Sequence, residues 1–477
     1  MRHIPRANLF AVIKAFVNGK PVDQIAQEIT LPAANQTSHG LYFRLHFFGW
    51  SVCVTRPETA KYLLMHTDIF PKLSTTPAQH ARRGTVVGKL LLGENVVLLA
   101  GKSWKEQRKI VSPAFQRSLP VQVFGKLTQK MVDIMSKEMG AIDVYDITQR
   151  WALDVLGEAA FGFHFQALED RDNEWVTRYN YIIESAQKPL YFIFPSIERH
   201  FWSWIPERRK AHQEVSKFLN MMSKMVQEKR EALGKTSTDQ PSIRENEKDL
   251  LTLMIEAERE GQGRLTDEEL LSNLCMLFLA GHESTASAVS LIIYHLAVHP
   301  DIQQRAREEA IRIFGDNADI LPTIEQTREL KYINMVIKET LRISSPGVSM
   351  MPRVASQDTE LSGVFIPKGT RLAIDMYDLH HNPKVWKNPK QFDPERFAPG
   401  GEAEKLGGMP WAPFGGGERQ CVGMNFSLIE QRISVSMLLR KYEWCLPEDS
   451  IHKEKLVTRA AGIIKPLDLF VLFTKRY

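Results

Sequence analysis

The sequence predicts a mainly α-helical fold with small peripheral β-sheets, and three observations lead to this prediction. From Glu58 to about Arg230, apolar residues recur three and four positions apart, which is the period of helices buried on one face. Helical periodicity resumes from Leu250 to His299. Strand-like alternation is confined to short segments, and 477 residues with 43% hydrophobic and 25% charged side chains have the composition of a globular protein.

The first predicted elements are a lead-in over residues 1–40 and a β-hairpin. In Leu41–Phe47 apolar and polar residues alternate, Gly49 offers a turn, and Ser51–Thr55 continues with β-branched residues. The apolar part of the lead-in is interrupted by polar residues and is shorter than the roughly 20 residues that a membrane-spanning helix needs. The helices of the first half of the chain follow this hairpin.

A polar segment separates the two helical regions. Residues 234–249 contain a single apolar side chain, Ile243, and are predicted to form a flexible, solvated loop. We find no internal repeat, and this segment is too short to mark a domain boundary. The later elements are short strands within Glu360–Met376, irregular chain from His381 to Gly417, a helix over about Cys421–Lys441 and strands within Leu456–Phe473.

One predicted helix is unusually long and carries polar groups in an apolar setting. Thr266 and Glu269 form a capping box, and the helical pattern extends for 34 residues, about 50 Å, until Pro300 ends it. Its middle, Leu274–Ala280, is apolar on all sides, so the helix should cross the core. Glu283 lies in the polar run that follows. Because burying a carboxylate is costly, this run indicates function, although a glutamate bonded to a backbone break would be purely structural.

Charge and cysteine content exclude some classes of protein. The net charge of +5 is small, and no block of Lys and Arg is present, so we expect no binding of nucleic acid. The cysteines show no paired spacing, which suits a reducing compartment and a role as ligand or nucleophile rather than as a disulfide. They are Cys53, Cys275, Cys421 and Cys445.

The sequence lacks the complete motifs of several common enzyme classes. His282-Glu283 could begin a zinc-protease pattern, but alanine stands where the second histidine should be. Gly415–Gly417 lacks the third glycine of a dinucleotide-binding loop, and Gly101-Lys102-Ser103 lacks the earlier glycine of a phosphate-binding loop. His295 and His299 have the spacing of metal ligands, but no carboxylate accompanies them.

The stretch from Phe414 to Gly423 carries the clearest chemical signal. Its three consecutive glycines allow the backbone to approach a flat ligand closely, and they deliver Cys421 to the start of a predicted helix. Free amides and the helix dipole there favour a thiolate, while Arg419 supplies a cation suited to a carboxylate. Such a site fits one axial bond to haem iron. A buried cysteine in a tight turn would explain the glycines but not the arginine.

This stretch resembles the haem-binding signature of the cytochrome P-450 superfamily, and further family motifs stand in the family's order. The signature residues are Phe414, Gly417, Arg419, Cys421 and Gly423. The other motifs are Trp104-x-x-x-Arg108, Ala280-Gly281-x-Glu283-Ser284-Thr285, and Glu339-x-x-Arg342, which is followed by Pro394-Glu-Arg396-Phe. The resemblance extends from about Gly40 to the C-terminus. It implies the family's fold, as a single haem domain over residues 1–477, with haem b between the long central helix and the helix after the cysteine loop.

The resemblance implies a role for each matching residue. Cys421 would be the thiolate ligand of the haem iron, with the Phe414 ring packed near its sulfur. The haem carboxylates would be held by Trp104, Arg108, Arg353 and Arg419. Ala280 and Gly281 would border the haem, and protons would be delivered by Glu283, Ser284 and Thr285. Glu339, Arg342 and Arg396 would form a buried network that braces the cysteine loop.

The implied reaction is the insertion of one oxygen atom from O₂ into a hydrophobic small molecule, such as a lipid, sterol, terpenoid or aromatic compound. No flavin or nicotinamide motif is present, so electrons would come from a separate NADPH-dependent reductase, which would dock near Lys102, Lys105 and Lys109. We expect a monomer. The substrate pocket would be lined by Thr75–Val97, Phe278–Ala280, Val348–Met351 and the turn near Ala461–Ile463.

The resemblance also bears on location. Family members from eukaryotic microsomes carry an anchor helix and a Pro-rich hinge before the first hairpin, and neither is visible here. The length after Gly40 and the segment Tyr377–Phe397 are nevertheless similar to microsomal members. We therefore expect a protein on the cytoplasmic face of the endoplasmic reticulum membrane, in contact with the membrane surface, whose anchor is absent from the chain as given. A truly anchorless protein would be cytoplasmic.

Three alternatives remain open on the sequence. A haem-thiolate isomerase or dehydratase would act on peroxides without a reductase, although the intact Glu283-Ser284-Thr285 run argues against it. A haem-binding sensor or carrier would bind haem without turnover. An enzyme with a histidine-bound metal would contain no haem.

Overall fold

The computed structural model describes residues 3–18, 20–46, 49–74, 80, 82–91, 93–188, 190–191, 194–235, 247–261, 263, 265–317, 320–461 and 463–476. The prediction of a mainly helical fold with small sheets is confirmed. The helices are α1 Leu9–Val17, α2 Val22–Ile25, α3 Leu31–Ala34, α4 Pro57–Met65, α5 Val86–Leu91, α6 Gly101–Arg117, α7 Val121–Met135, α8 Val144–Leu156, α9 Glu174–Ala186, α10 Pro195–Phe201, α11 Pro206–Lys235, α12 Leu250–Arg259, α13 Asp267–Val298, α14 Pro300–Phe314, α15 Ile324–Glu329, α16 Lys331–Ile343, α17 Met376–His381, α18 Glu402–Lys405 and α19 Met424–Lys441.

The strands form small sheets at the edge of this helical body. They are β1 Leu41–His46, β2 Gly49–Val54, β3 Ala141–Asp143, β4 Arg353–Val354, β5 Thr359–Leu361, β6 Val364–Ile366, β7 Arg371–Ala373, β8 Tyr442–Cys445, β9 Thr458–Ala461, β10 Ile463–Pro466 and β11 Phe470–Lys475. The four-stranded sheet has the order β1-β2-β7-β4, with β2 and β7 parallel. The predicted hairpin is confirmed, and Leu41 pairs with Val54 in its antiparallel register.

Three strands escaped the sequence analysis: β3, β4 and β8, of which β8 directly follows α19 and pairs with β11. β3 has 3 residues and β4 has 2, too few to show a two-residue alternation. Each is defined by a distant partner, since β3 pairs with β11 and β4 pairs with β7. Of the predicted loop at 234–249, residues 236–246 lie outside the described residues. The described part shows α11 extending to Lys235 and Asp249 capping α12.

The long central helix, α13, is confirmed with its capping box. Thr266 accepts a hydrogen bond from the Glu269 amide at 3.1 Å, and Glu269 accepts one from the Thr266 amide at 2.8 Å. The helix runs unbroken through Gly281, so the backbone break considered above is absent from it. Among the described residues, α13 alone has the length and hydropathy of a membrane-crossing helix. Of its most apolar window, 78% is buried inside the protein, as in a core helix.

Close packing against α8 explains the glycine in the middle of α13. A Cβ atom at Gly281 would lie 2.8 Å from Cδ1 of Leu156, closer than such atoms approach, so this position allows the two helices to meet. Further along, the hydroxyls of Thr148 on α8 and Ser290 on α13 share a hydrogen bond of 2.8 Å. Gly281 therefore contributes to helix packing as well as to the accessible surface of α13.

The helix after the cysteine loop begins later than the sequence predicts. The expected start was about Cys421, but α19 begins at Met424 with Gly423 as its N-cap residue. The cysteine therefore lies just outside the helix, in the loop before it. The helix begins only three residues later than predicted, and the amide that faces the cysteine sulfur is that of Gly423.

The predicted network of Glu339, Arg342 and Arg396 is confirmed. Arg342 donates to both carboxylate oxygens of Glu339, at 2.7 and 2.8 Å, and Arg396 donates from Nε at 3.3 Å. The Asp393 amide donates to the same carboxylate at 2.9 Å. All three charged side chains are at most 5% exposed. The network thus ties α16 to the segment that leads into the cysteine loop.

Replacing Glu339 by Gln should destabilise the protein, because it leaves the buried Arg342 without a countercharge and Arg396 with Glu402 as its remaining carboxylate partner. Loss of one partner of a buried ion pair costs about 3–5 kcal/mol. We expect a clearly lower midpoint in thermal unfolding followed by circular dichroism. Glu106→Gln is the matched control, because its pair with Lys102 is exposed and 3.8 Å long. Equal midpoints for the two variants would contradict this role of Glu339.

Candidate active site

The cysteine loop has a backbone that requires glycine at specific positions. Gly415 and Gly417 have φ angles of +69° and +66°, a conformation that residues with side chains rarely adopt. At Gly417 a Cβ atom would also meet the Leu64 carbonyl oxygen at 2.5 Å. The Cys421 amide donates to the Phe414 carbonyl at 2.8 Å, which closes the loop. The glycines therefore fix where the cysteine sulfur is presented.

The Cys421 side chain is exposed, and the loop around it, Gly417–Gly423, is at least partly exposed. The protein atoms around the sulfur replace part of its water and so raise the pKa of its thiol, while the Gly423 amide and the Arg108 guanidinium oppose this shift. The sequence predicts that the thiolate is stabilised, and the Gly423 amide and Arg108 provide such stabilisation. The cost of removing the negative charge from water is larger, so the pKa of the thiol is raised. A bound metal ion would reverse the balance, because thiolates coordinate metals after losing their proton.

Four basic side chains gather beside this loop. Arg108 donates to the Gln420 carbonyl at 2.8 Å, Arg419 to the Leu99 carbonyl at 2.8 Å, and Arg353 to the Phe70 carbonyl at 3.4 Å. The fourth is Lys72, which is 7% exposed and donates to the Val97 carbonyl. Trp104 belongs to the same group, because the Arg419 guanidinium lies 3.6 Å from its ring centre.

These cations repel one another, and none forms an ion pair with a carboxylate among the described residues. Burial lowers the pKa of Lys72 to about 7, with further lowering by Arg419 and Arg353. Burial lowers the pKa of Arg419 to about 10, with Arg353 and Arg108 acting in the same direction and Glu418 opposing. Lys72 and Arg353 are buried and Arg108 and Arg419 are partly exposed, and such a positive cluster is suited to an anion with more than one charge.

Lys72 is the residue of this group that sequence reasoning missed. It stands after Pro71 in a stretch without helical or strand periodicity. Its place depends on an isolated β-bridge to Arg353, which is 281 positions later in the chain. No local pattern could have indicated it, since only the fold brings these two basic residues together.

On α13, an accessible stripe interrupts an otherwise buried helix. Ala280 is exposed, and Gly281 and Ser284 are partly exposed, whereas His282, Glu283 and Thr285 are buried. The Ser284 hydroxyl donates to the Ala280 carbonyl at 2.6 Å, one turn earlier. Three of the predicted site residues thus share one face.

Glu283 and Thr285 point to other faces of α13. The Glu283 carboxyl is 7% exposed, and burial raises its pKa, with Lys465 and Tyr179 acting in the opposite direction. The Thr285 hydroxyl faces the carboxyl of Glu430 on α19, which is 3% exposed. Burial raises the pKa of this carboxyl, and the hydrogen bond from Thr285 lowers it. Of the three predicted proton-transfer residues, Ser284 alone lies on the accessible stripe.

The expectation that Phe278 lines the substrate pocket is wrong. Its side chain is fully buried and packs against aromatic rings. It shares a face of α13 with the buried His282, which follows one helical turn later. Ring centres lie 5.1 Å away for both Tyr179 and Phe218. In the predicted lining segment Val348–Met351 the side chains are partly exposed. Residues 75–79, 81, 92 and 462 of the predicted lining lie outside the described residues.

The donor set fits haem b. Haem needs one strong axial ligand for iron, a slot for a flat ring, and cations for two carboxylates. The structure offers the accessible sulfur of Cys421 in a glycine-built loop, beside four cations that form no ion pair with a carboxylate among the described residues. The same residues contain no group of three or more His, Cys, Asp and Glu side chains suited to a metal ion. His295 and His299 instead stack on Phe392, at 4.5 and 5.0 Å.

Comparison with known proteins agrees with this chemistry. The chain matches the family profile described as Cytochrome P450 over residues 15–471. It is 28% identical to cytochrome P450 4c21 of Blattella germanica over 443 residues, 88% of this chain and 83% of the relative. It is 29% identical to human cytochrome P450 4X1 over 401 residues, 81% of this chain and 75% of the relative.

A solved structure shares the fold. The crystal structure of the cytochrome P450DA heme domain has a TM-score of 0.79 and 22% sequence identity, covering 99% of this chain and 98% of that one. Family and fold therefore agree with the single cysteine, the cation cluster and the polar run on α13. The chain belongs to the cytochrome P450 family: it is a haem b oxidoreductase that inserts one oxygen atom from O₂ into a hydrophobic small molecule, with electrons from a separate NADPH-dependent reductase.

Proposed function

We propose that Cys421 is the axial thiolate ligand of the haem and that the whole chain, residues 1–477, forms one haem domain. When bound, the haem supplies an iron centre whose thiolate ligand favours cleavage of the O–O bond. The loop supports this assignment, because its glycines and the amide bond from Cys421 to Phe414 hold the sulfur just before α19. The Gly423 amide and Arg108 stabilise negative charge on the sulfur. Phe414 shields it beside Trp411, whose ring centre is 6.0 Å away.

The cation cluster would hold the two haem carboxylates. Trp104, Arg108, Arg353 and Arg419 act with Lys72, which we add to the predicted set. Two negative charges would relieve the repulsion among these cations, which adds to burial in lowering the pKa values of Lys72 and Arg419. Arginine suits this task, since its planar guanidinium binds a carboxylate through two parallel hydrogen bonds.

The residues of α13 would control proton supply. Ala280 and Gly281 leave room beside the accessible stripe, and the Ser284 hydroxyl there can accept a proton and pass it on. Glu283 is the adjacent proton source, because burial raises the pKa of its carboxyl toward the working pH. Thr285 acts as a positioning residue, since its hydroxyl links α13 to Glu430 on α19.

The protein would work as a monomer on the cytoplasmic face of the endoplasmic reticulum membrane. An exposed apolar patch supports contact with a lipid surface. Leu190, Phe194, Phe201 and Trp204 are 50%, 56%, 48% and 81% exposed, and the last two rings lie 6.0 Å apart. Aromatic side chains of this kind favour the boundary between lipid and water. Such a surface would give a hydrophobic substrate direct access from the membrane.

Incorporation of ¹⁸O from ¹⁸O₂ tests the function directly. The protein, reconstituted with an NADPH-dependent reductase and an apolar substrate that shifts its haem spectrum, should yield product with one labelled oxygen. Cys421→Ala should abolish product formation, because the axial thiolate is lost. Cys445→Ala is the matched control, since it removes another exposed cysteine and should leave turnover unchanged. Unlabelled product, or product formed without the reductase, would contradict the monooxygenase assignment.

Replacing Ser284 by Thr should improve the yield of product per NADPH. The family most often has threonine at this position, and a β-branched side chain holds its hydroxyl in fewer rotamers than serine does. We expect less hydrogen peroxide and more product in the variant, measured together in one assay. Ser284→Ala should act in the opposite direction. Identical peroxide yields for all three proteins would refute this role of Ser284.

Reversing charge at Lys105 and Lys109 should slow electron transfer from the reductase. Both lysines are exposed on α6, which carries Trp104 and Arg108 beside the cysteine loop. We expect a slower first electron transfer in stopped-flow measurements, with a difference that shrinks as salt increases. Lys217→Glu/Lys224→Glu on α11 is the control, because these lysines are also exposed. Equal rates for both double variants would argue against docking at α6.

A further inference from the structure

Glu283 belongs to a buried polar cluster drawn from four separate elements. Tyr145 comes from α8, Tyr179 from α9, and Lys465 from β10. Each of these side chains lies close enough to Glu283 for their charges to shift one another's pKa values. The Lys465 ammonium is 5.2 Å from the centre of the Tyr145 ring. The Tyr179 ring is 4.8 Å from that of His282, the neighbour of Glu283.

The two tyrosine hydroxyls in this cluster lack ordinary partners. The Tyr145 and Tyr179 hydroxyls are buried, and neither makes a hydrogen bond of standard geometry with a described group. Buried polar groups without partners are rare, because each costs about 1–3 kcal/mol. Both hydroxyls are near the Glu283 carboxyl, and the Tyr179 hydroxyl lowers the pKa of that carboxyl. They are donors available to a carboxylate that changes charge or position.

Lys465 connects this cluster to the outside of the protein. Its side chain is partly exposed, in contrast to the buried Glu283. Strand β10 is fixed against α13, because the Ser287 hydroxyl donates to the Ile464 carbonyl at 2.5 Å. The lysine is therefore held beside the same helix that carries Glu283 and Ser284. Among the described groups it is the cation that acts on Glu283.

We propose that Lys465, Tyr145 and Tyr179 are positioning residues that form the proton-supply route to Glu283 in this protein. This inference rests on the proposed function, in which Glu283 supplies protons to Ser284. The parts of the route come from separate elements, the cation from β10 and the hydroxyls from α8 and α9.

Each cycle of the route conserves protons. The Glu283 carboxylic acid releases a proton toward the Ser284 hydroxyl and becomes a carboxylate. Hydrogen bonds from the Tyr145 and Tyr179 hydroxyls, together with the Lys465 charge, then stabilise that carboxylate. A proton from bulk water then returns to the carboxylate on the side of the partly exposed Lys465, which keeps its charge throughout the cycle. The tyrosines donate hydrogen bonds without ionising, since burial raises the pKa of both phenols.

The electrostatics give the sign of the expected pH effects. The groups facing Glu283 are Tyr145 from α8, Tyr179 from α9 and Lys465 from β10, with His282 beside it on α13. Burial lowers the pKa of His282 to about 4, so this ring is neutral near pH 7. Lys465 and Tyr179 lower the pKa of the Glu283 carboxyl. Removing either should raise that pKa, so the carboxyl would then deprotonate at higher pH.

The test measures the Glu283 titration in the ferric holoprotein, without turnover, together with the coupling of NADPH use to product. The carboxylic acid band of Glu283 is identified by infrared difference spectroscopy through its loss in Glu283→Gln. In Lys465→Met and Tyr179→Phe this band should titrate at higher pH than in the unaltered protein. Product per NADPH should fall about three- to tenfold in Lys465→Met, because the carboxylate is less stable without the Lys465 charge and Glu283 releases its proton less readily. Lys465→Arg should restore both values.

Tyr294→Phe is the matched control. Tyr294 is also a buried tyrosine on α13, but its hydroxyl donates to the His452 carbonyl at 3.3 Å, away from the cluster. This variant should leave the titration and the coupling unchanged. Normal titration and coupling in Lys465→Met and Tyr179→Phe would overturn the proton route. Because those proteins would still form ¹⁸O-labelled product, such a result would leave the proposed function standing.

Discussion

The constraint on which the site depends is a cluster of four cations, two of them buried and two partly exposed, held together beside the cysteine loop. Lys72, Arg108, Arg353 and Arg419 each bond to a backbone carbonyl, yet none has a carboxylate partner among the described residues. Burial, with added repulsion from Arg419 and Arg353, lowers the pKa of Lys72 to about 7, so holding these charges together opposes folding. A dianionic cofactor converts the repulsion into binding energy. Folding and haem binding are therefore coupled, because the anion relieves the repulsion only in the folded state.

The rest of the fold holds this cluster and the cysteine in register. The Glu339–Arg342–Arg396 network fixes the chain that enters the cysteine loop, and the glycines of the loop fix the sulfur. On the other side, α13 passes through the core and exposes only a narrow stripe near Ser284. Its buried faces carry Glu283 and Thr285 into two different polar environments. One helix thereby serves the accessible site, the proton supply and the attachment to α19.

Local sequence signals predicted much of this arrangement. The capping box and apolar run predicted α13, and the glycine-rich loop with Cys421 and Arg419 predicted the haem chemistry, because these features lie within a few residues of each other. Features that depend on distant contacts were missed. Lys72 joins the site only through its bridge to Arg353, and Phe278 is apolar on a helix whose accessible side cannot be chosen from an all-apolar run. The groups around Glu283 come from α8, α9 and β10, which are distant in sequence, so no local pattern near residue 283 could indicate them.

The most direct measurement of the central claim compares haem with its dimethyl ester, in which both carboxylates lose their charge. The protein is reconstituted with each pigment, and the rate of transfer to excess apomyoglobin is recorded. We predict that the ester leaves the unaltered protein at least about tenfold faster, since charged hydrogen bonds contribute about 1.5–3 kcal/mol each. The difference should shrink in Lys72→Met. Equal transfer rates for haem and its ester would contradict the claim that the four cations hold the cofactor by its carboxylates.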